Sequence, residues 1–237
     1  MSEKRNDTAQ IRCRLFVDMD GTINYFNNNI DSLDSVYSKG YFSNLHPRNQ
    51  VVEALREYSK HDSEVYVLAN VIDSPYAINE KNEWLDKYLP ELDQQHRIFV
   101  PYGKNKTDYI QGNITKMDFL LDDSETNLIE WNKQGSAIKL VNELNDRESE
   151  WDGESVYYNA PSRAIAFSIR SIQNRSVLNE LFKNKDFFLD LENEIYAKEN
   201  SQPVKKQSIA DRIKDAKSKA SGQQRNMKVL SRNEPQK

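Results

Sequence analysis

The chain has 237 residues, 37% hydrophobic and 30% charged, with a net charge of −4, which is enough for one large domain with part of the chain outside its core. It holds no run of eighteen apolar residues, which excludes a transmembrane helix, and its polar start, MSEKRNDTAQ (1–10), reads as disordered and not as a secretory leader. The single cysteine, Cys13, excludes an internal disulfide and fits a reducing, cytoplasmic location.

The charge is unevenly spread. Residues 201–237 hold ten Lys and Arg against three Asp and Glu, a local +7, so the first 200 residues carry −11. An acidic body argues against nucleic-acid binding by the main domain, and only the basic tail has the charge for it.

In chain order, IRCRLFV (11–17) alternates and then becomes continuously apolar, as a strand entering a sheet centre does. Residues 24–46, rich in Asn, Ser, Tyr and Phe, are expected to hold only short helical pieces. HPRNQVVEALREYSKH (46–61) predicts a helix with Pro47 near its start and Val51, Val52, Leu55 and Tyr58 on one face. EVYVLAN (64–70) is the second strand. SPYAINEKNEWLDKYLPEL (74–92) is helical, with Pro75 in its first turn and Trp84, Leu85 and Tyr88 facing inward. HRIFVP (96–101) and KMDFLLDD (116–123) are the third and fourth strands, SETNLIEWNKQG (124–135) a helix stopped by Gly135, and SAIKLV (136–141) the fifth strand.

Strands alternating with helices predict an α/β fold: a doubly wound parallel sheet of the Rossmann type. The segment 24–46 is a small helical cap inserted after strand one, and the core spans 11–158. SRAIAFSIRSI (162–172) and SVLNELFKNKDFFLDLENEIYAKE (176–199) read as two helical pieces of a C-terminal extension over 159–200. SIADRIKDAKSKA (208–220) is a further helical stretch in a basic, partly disordered tail, 201–237.

Chemistry in such a sheet belongs beyond the carboxyl ends of its strands. Strand one ends in Asp18 and Asp20, strand two in Asn70, and strand four in Asp122 and Asp123, while the loop after strand three carries Lys104 and Lys106. Carboxylates converging on one rim repel one another unless a cation compensates them. Oxygen ligands beside a lysine suit magnesium and a phosphate better than zinc. Asp at a strand end is common in turns, so DMDGT and LLDD carry weight as a pair. Their spacing supplies a mechanism. Asp18 attacks phosphorus while touching the metal, and Asp20, two residues on, protonates the leaving alcohol and then activates water. Gly21 permits close approach to the phosphate, Thr22 offers a hydroxyl, and Lys106 neutralises phosphoryl oxygens. Asp18, the backbone carbonyl of Asp20, Asp122 and Asp123 form the expected metal site.

The chain resembles haloacid-dehalogenase-type phosphatases, and more closely the cytosolic 5′(3′)-deoxyribonucleotidase family with its bacterial and phage relatives. DMDGTI (18–23), GYFSNLHP (40–47), EKNEWLDKYLP (80–90), PYGKNKTDYI (101–110), LLDDSETNLIEWNKQG (120–135) and IKLVNELN (138–145) carry the resemblance. It implies an aspartyl-phosphate mechanism, Mg²⁺, and nucleoside 5′-monophosphate substrates, often deoxy and often pyrimidine. By the same resemblance Asp18 is nucleophile, Asp20 acid/base, Lys106 the phosphate-binding lysine (Lys104 the runner-up), Asp122 and Asp123 the final acidic pair, and Gly40, Tyr41 and Phe42 part of the cap over the nucleotide.

One position departs from the pattern. Where the second motif ends in Ser or Thr, this chain has VYVLANVIDS, so the hydroxyl has become Ala69 or Asn70. An Asn70 amide can still donate to a phosphoryl oxygen. The competing readings are a phosphatase of another small phosphometabolite and a weakly catalytic binding or regulatory module that kept the fold. The aromatic side chains of the cap, Tyr41 and Phe42 above all, either stack on the base or pack the cap itself. The expected partner is a small-molecule nucleoside monophosphate, not a membrane, and the chain is compatible with a homo-oligomer.

Overall fold

The computed structural model describes residues 13–26, 33–60, 64–146 and 149–183. Expectations for residues 1–12, for 27–32 of the cap, and for the chain beyond 183 lie outside these residues. Among the described residues no helix is long and apolar enough to cross a membrane.

Among the described residues the strands and α-helices follow in this order: β1 (Arg14–Val17), α1 (Asn49–Ser59), β2 (Glu64–Val71), α2 (Ala77–Tyr88), β3 (Arg97–Pro101), β4 (Asp118–Asp122), α3 (Glu125–Asn132), β5 (Ser136–Val141), β6 (Glu154–Tyr157) and α4 (Ser162–Lys183). The strands form one sheet in the order β3-β2-β1-β4-β5-β6, with every neighbouring pair parallel. Buried parallel strands need apolar side chains on both faces, and Leu15–Val17 and Phe119–Leu121 are all at most 1% exposed. Alternation sends Leu15 and Val17 to one face and Phe16 to the other. The first face packs under α1, α2 and α4, with Val51, Leu55, Trp84, Leu85 and Ile169 buried. The second packs against α3 through Leu128 and Trp131. Trp131 is pinned there by an Nε1–H bond to the Asp118 carbonyl (3.0 Å), with Phe16 5.1 Å from it.

The parallel, doubly wound sheet is the expected one, with two differences. A sixth strand, β6, extends the edge beyond β5. Only Val156 of its four residues is buried, so it carries no apolar run to announce it. The two helical pieces expected after 162 are, up to Lys183, one helix of 22 residues. Its Ile165, Ala166, Ile169 and Ile172 fall on one stripe and join the buried cluster that holds Leu15 and Val17. Tyr58 of α1 donates a hydrogen bond to Gln173 of α4. Helix α4 thus packs into the core up to Lys183.

The chain leaves β1 toward β2 and β3 on one side, while β4, β5 and β6 build the other. The switch point of the sheet therefore lies between β1 and β4, where ligand crevices form in open α/β sheets. Val17 pairs with Leu121, and the Asp18 N–H donates to the Leu121 carbonyl (2.9 Å). The residues that follow these two, Asp18 and Asp122, thus emerge side by side.

Candidate active site at the switch point

Asp18 is 7% exposed and Asp122 fully buried, and between them lies Lys106, 4% exposed. Its Nζ donates to Asp18 Oδ1 (2.5 Å) and to Asp122 Oδ2 (2.6 Å). Lys106 opens a short 3-10 turn, Lys106–Tyr109, after the loop from β3. One oxygen each from Asp18, Asp122 and Asp123 lies within 4.8 Å of the others. Asp122 is further oriented by the Ser124 N–H (2.8 Å to Oδ1) and the Asn127 amide (3.0 Å to Oδ2). Asp123 accepts from Asn142 Nδ2 (3.0 Å, to Oδ2) and from the Thr22 hydroxyl (3.3 Å, to Oδ1).

The turn after Asp18 is tight. The N–H groups of Thr22, Ile23 and Asn24 all point at the Met19 carbonyl. Gly21 has φ +86°, and a methyl group on it would lie 2.3 Å from Asp123 Oδ2, so glycine is required on two counts. The Gly21 carbonyl accepts from Arg48 Nε (2.9 Å) and Asn142 Nδ2 (3.0 Å). Arg48 in turn forms a bidentate pair with Glu143 (2.7 and 2.8 Å).

Asp20 stands apart from the three-carboxylate cluster. Its Oδ2 accepts from Lys81 of α2, and its Oδ1 from Asn24 (3.1 Å). The four carboxylates of Asp18, Asp20, Asp122 and Asp123 face two ammonium groups, Lys81 and Lys106, so the cluster is formally short of two positive charges. Burial and this deficit together act on the carboxyl groups. Burial, then the charges of Asp122, Asp123 and Asp20, push Asp18 up to about 8 against the pull of Lys106. Burial and Asp122 push Asp123 up to about 6. Burial would lower Lys106, but Asp122 and Asp18 outweigh it and hold the ammonium above its ordinary value. Hard oxygen donors, buried and under-compensated, fit a divalent cation.

Over the cluster opens a cavity of about 550 Å³. Asp18, Asp20, Asp122 and Asp123 form its floor, and Phe26, Val36, Phe42 and Ile72 supply an apolar wall. Phe42 therefore borders the space above Asp18 while being 3% exposed. Tyr41 stands behind it, edge-on at 5.0 Å, and does not line the cavity. Burial and the nearby Asp20 charge raise the Tyr41 phenol above its ordinary value. Pairing of β2 with β3 settles the second motif: Ala69 is 1% exposed in the core, whereas Asn70 lines the cavity. Lys104 lies on the rim. Thr22 is fully buried with its hydroxyl on Asp123, away from the cavity wall.

Several residues at this site escaped the sequence reading. Glu80 and Lys81 of α2 are 5% and 0% exposed. Together with Ala77, Trp84 and Leu85 they make up the buried face of the helix. Two charges on an otherwise apolar stripe are a signal that periodicity can reveal. Arg48, 1% exposed, and Asn142, just past β5 and also 1% exposed, had no such signal.

A doubly wound sheet with carboxylates at the ends of its two central strands and a lysine between them defines a phosphatase core of the haloacid-dehalogenase type. Residues 28–152 match the family described as 5′ nucleotidase, deoxy (Pyrimidine), cytosolic type C, and the chain belongs to that family of phosphomonoester hydrolases. The matched segment holds Lys106, Asp122 and Asp123, and begins after Asp18 and Asp20. Two relatives are provisionally named 5′(3′)-deoxyribonucleotidase. One, from Staphylococcus epidermidis (strain RP62A), is 26% identical over 132 residues, 54% of this chain and 68% of that protein. The other, from Staphylococcus aureus (strain Mu50), is 28% identical over 123 residues, 50% of this chain and 63% of that protein. Among solved structures, a D,D-heptose 1,7-bisphosphate phosphatase from Burkholderia thailandensis aligns with a TM-score of 0.45 at 11% identity, over 68% of this chain and 99% of that one.

Proposed function

We propose that the protein is a magnesium-dependent phosphomonoesterase that hydrolyses (deoxy)ribonucleoside 5′-monophosphates through an aspartyl-phosphate on Asp18. The observation that carries this is the convergence of Asp18, Asp122 and Asp123 around one point, with Lys106 bridging Asp18 and Asp122, on the floor of a cavity with an aromatic wall. Asp18, Asp122, Asp123 and the backbone of Asp20 would hold the cation, which when bound offsets the negative charge of the carboxylates and of the phosphate.

Lys106 engages one oxygen of Asp18, Oδ1, and the other attacks phosphorus. The bond from phosphorus to the ester oxygen breaks as the new one forms, and Asp20 delivers a proton to the departing 5′-oxygen. In the second step Asp20 takes a proton from a water that attacks the phosphorus, which releases inorganic phosphate and restores the Asp18 carboxylate. Lys106 and the Asn70 amide at the cavity wall donate to phosphoryl oxygens as their charge shifts. Phe42 offers its ring to the base.

Asn70, where the family pattern has a hydroxyl, favours a second reading, a weakly catalytic module that binds a phosphate ester. Release of inorganic phosphate across a panel of nucleoside monophosphates, with Mg²⁺ and with chelator, separates the two. Turnover that needs the metal and prefers nucleotides to small phosphate esters supports the first. Tight nucleotide binding without release overturns it.

A further inference from the structure

A fully buried lysine is costly unless something requires it. Lys81 is one, and nothing in the reaction as drawn uses it. Its ammonium makes a hydrogen bond to Asp20 Oδ2 and lies 4.6 Å from the Phe42 ring centroid. The neighbouring Glu80 reaches the other way. Its Oε1 accepts from the Gly40 N–H (2.5 Å) and its Oε2 from the Phe42 N–H (3.0 Å). Both residues occupy positions that the helix would otherwise fill with apolar side chains, between Ala77 and Trp84. One turn of α2 therefore clamps the backbone of the cap segment and grips the carboxyl group of Asp20.

We propose that Lys81 is a positioning residue for proton transfer: it holds the Asp20 carboxyl group aimed at the leaving-group oxygen. The inference rests on the functional reading given above. Asp20 stands at the start of the tight turn that closes on the Met19 carbonyl, and its side chain has two free torsions. Asn24 restrains one oxygen (3.1 Å) and Lys81 the other, so the plane of the carboxyl group is set. Each oxygen keeps a second acceptor position for the proton it carries to the ester oxygen or takes from water. Lys81 itself takes no part in the bonds made and broken. A misaimed acid loses most of its effect, because general acid catalysis needs hydrogen-bond geometry before anything else.

Leaving-group dependence tests this. Phenyl phosphate and 4-nitrophenyl phosphate have nearly the same shape, but nitrophenolate departs without a proton and phenolate needs one. Their kcat/KM values report the steps up to leaving-group departure and are blind to the water step. Lys81→Met should lower kcat/KM for phenyl phosphate and for a nucleoside monophosphate by about 10²-fold, within the range that general acids supply. The loss for 4-nitrophenyl phosphate should be under about 5-fold. In an Asp20→Asn background Lys81→Met should cause no further loss, since no acid is left to position. The same ratios are read on Lys81→Gln, which keeps a polar atom in the slot, so a collapse of the methionine variant leaves the test standing. Equal losses on both aryl esters, or additive losses in the double variant, assign Lys81 to packing and overturn the inference while phosphatase activity stands. A native protein that releases phosphate from none of these esters overturns the functional reading, and the inference with it.

Discussion

Gly21 and Asp123 touch across the switch point. A methyl group at position 21 would meet Asp123 Oδ2 at 2.3 Å, and the backbone there has φ +86°. Backbone geometry on the β1 side thus limits where a carboxylate on the β4 side can stand. Gly21→Ala should cost about 1–3 kcal/mol in strain at that φ and displace Asp123. Chemical denaturation reads the first effect. The second appears as weaker divalent-cation binding in calorimetry, and unchanged metal affinity would separate the turn from the metal site.

Removing the carboxylate proposed as nucleophile should separate activity from fold. Asp18→Asn should lower phosphate release by about 10⁴-fold or more, because an amide cannot form the acyl phosphate. Its far-ultraviolet circular dichroism should match the native protein, since an amide of the same size still meets Lys106. Near-native turnover would falsify the covalent route.

The acidic cluster should make stability depend on metal. A ligand that binds only the folded chain, present at 100 times its dissociation constant, contributes about 2.7 kcal/mol, which for a domain of this size raises Tm by about 5–11 °C. Mg²⁺ should produce such a shift in a thermal melt and chelator should reverse it. Asp123→Asn should remove most of the shift. The same shift in that variant would place the cation elsewhere.

Phe42 both borders the cavity and packs in the core, so Phe42→Ala would leave a hole costing about 3–5 kcal/mol. Phe42→Leu keeps most of that packing and removes the flat ring. It should raise KM for a nucleotide by about 5- to 150-fold, the worth of one stacking contact, with little change in kcat and little effect on a small ester that never reaches the cap. Equal effects on both substrates would make Phe42 a packing element of the cap.

The Arg48–Glu143 pair offers a pH signature separate from the carboxylate cluster. The hydrogen bonds from Arg48 hold the Glu143 carboxyl below the ordinary value of 4.5. A carboxyl lowered on folding contributes stability that is present above its unfolded value and is lost as pH falls through the folded one. Glu143 is 40% exposed, so solvent screening limits the effect to about 1 kcal/mol, roughly 2–4 °C in Tm. Glu143→Gln should melt lower than the native protein at pH 7, with a gap that narrows as pH falls below the ordinary carboxyl value of 4.5. A gap that persists at low pH would trace to packing.

What the sequence determined is local. Apolar runs announced β1, β2, β3, β4 and β5, because a parallel strand at a sheet centre must be apolar on both faces. The carboxylates at the ends of β1 and β4 were legible because each follows such a run directly. Strand β6 was not, since an edge strand with one buried residue needs no run. What the tertiary structure decided depends on contacts between distant parts of the chain. Whether Ala69 or Asn70 faces the cavity is decided only once β2 is paired, because one step along a strand turns a side chain to the other face. The grip of Lys81 on Asp20 spans 61 residues, and that of Asn142 on Gly21 spans 121. A buried charge is tolerated only where a partner meets it, and only the folded chain brings that partner near.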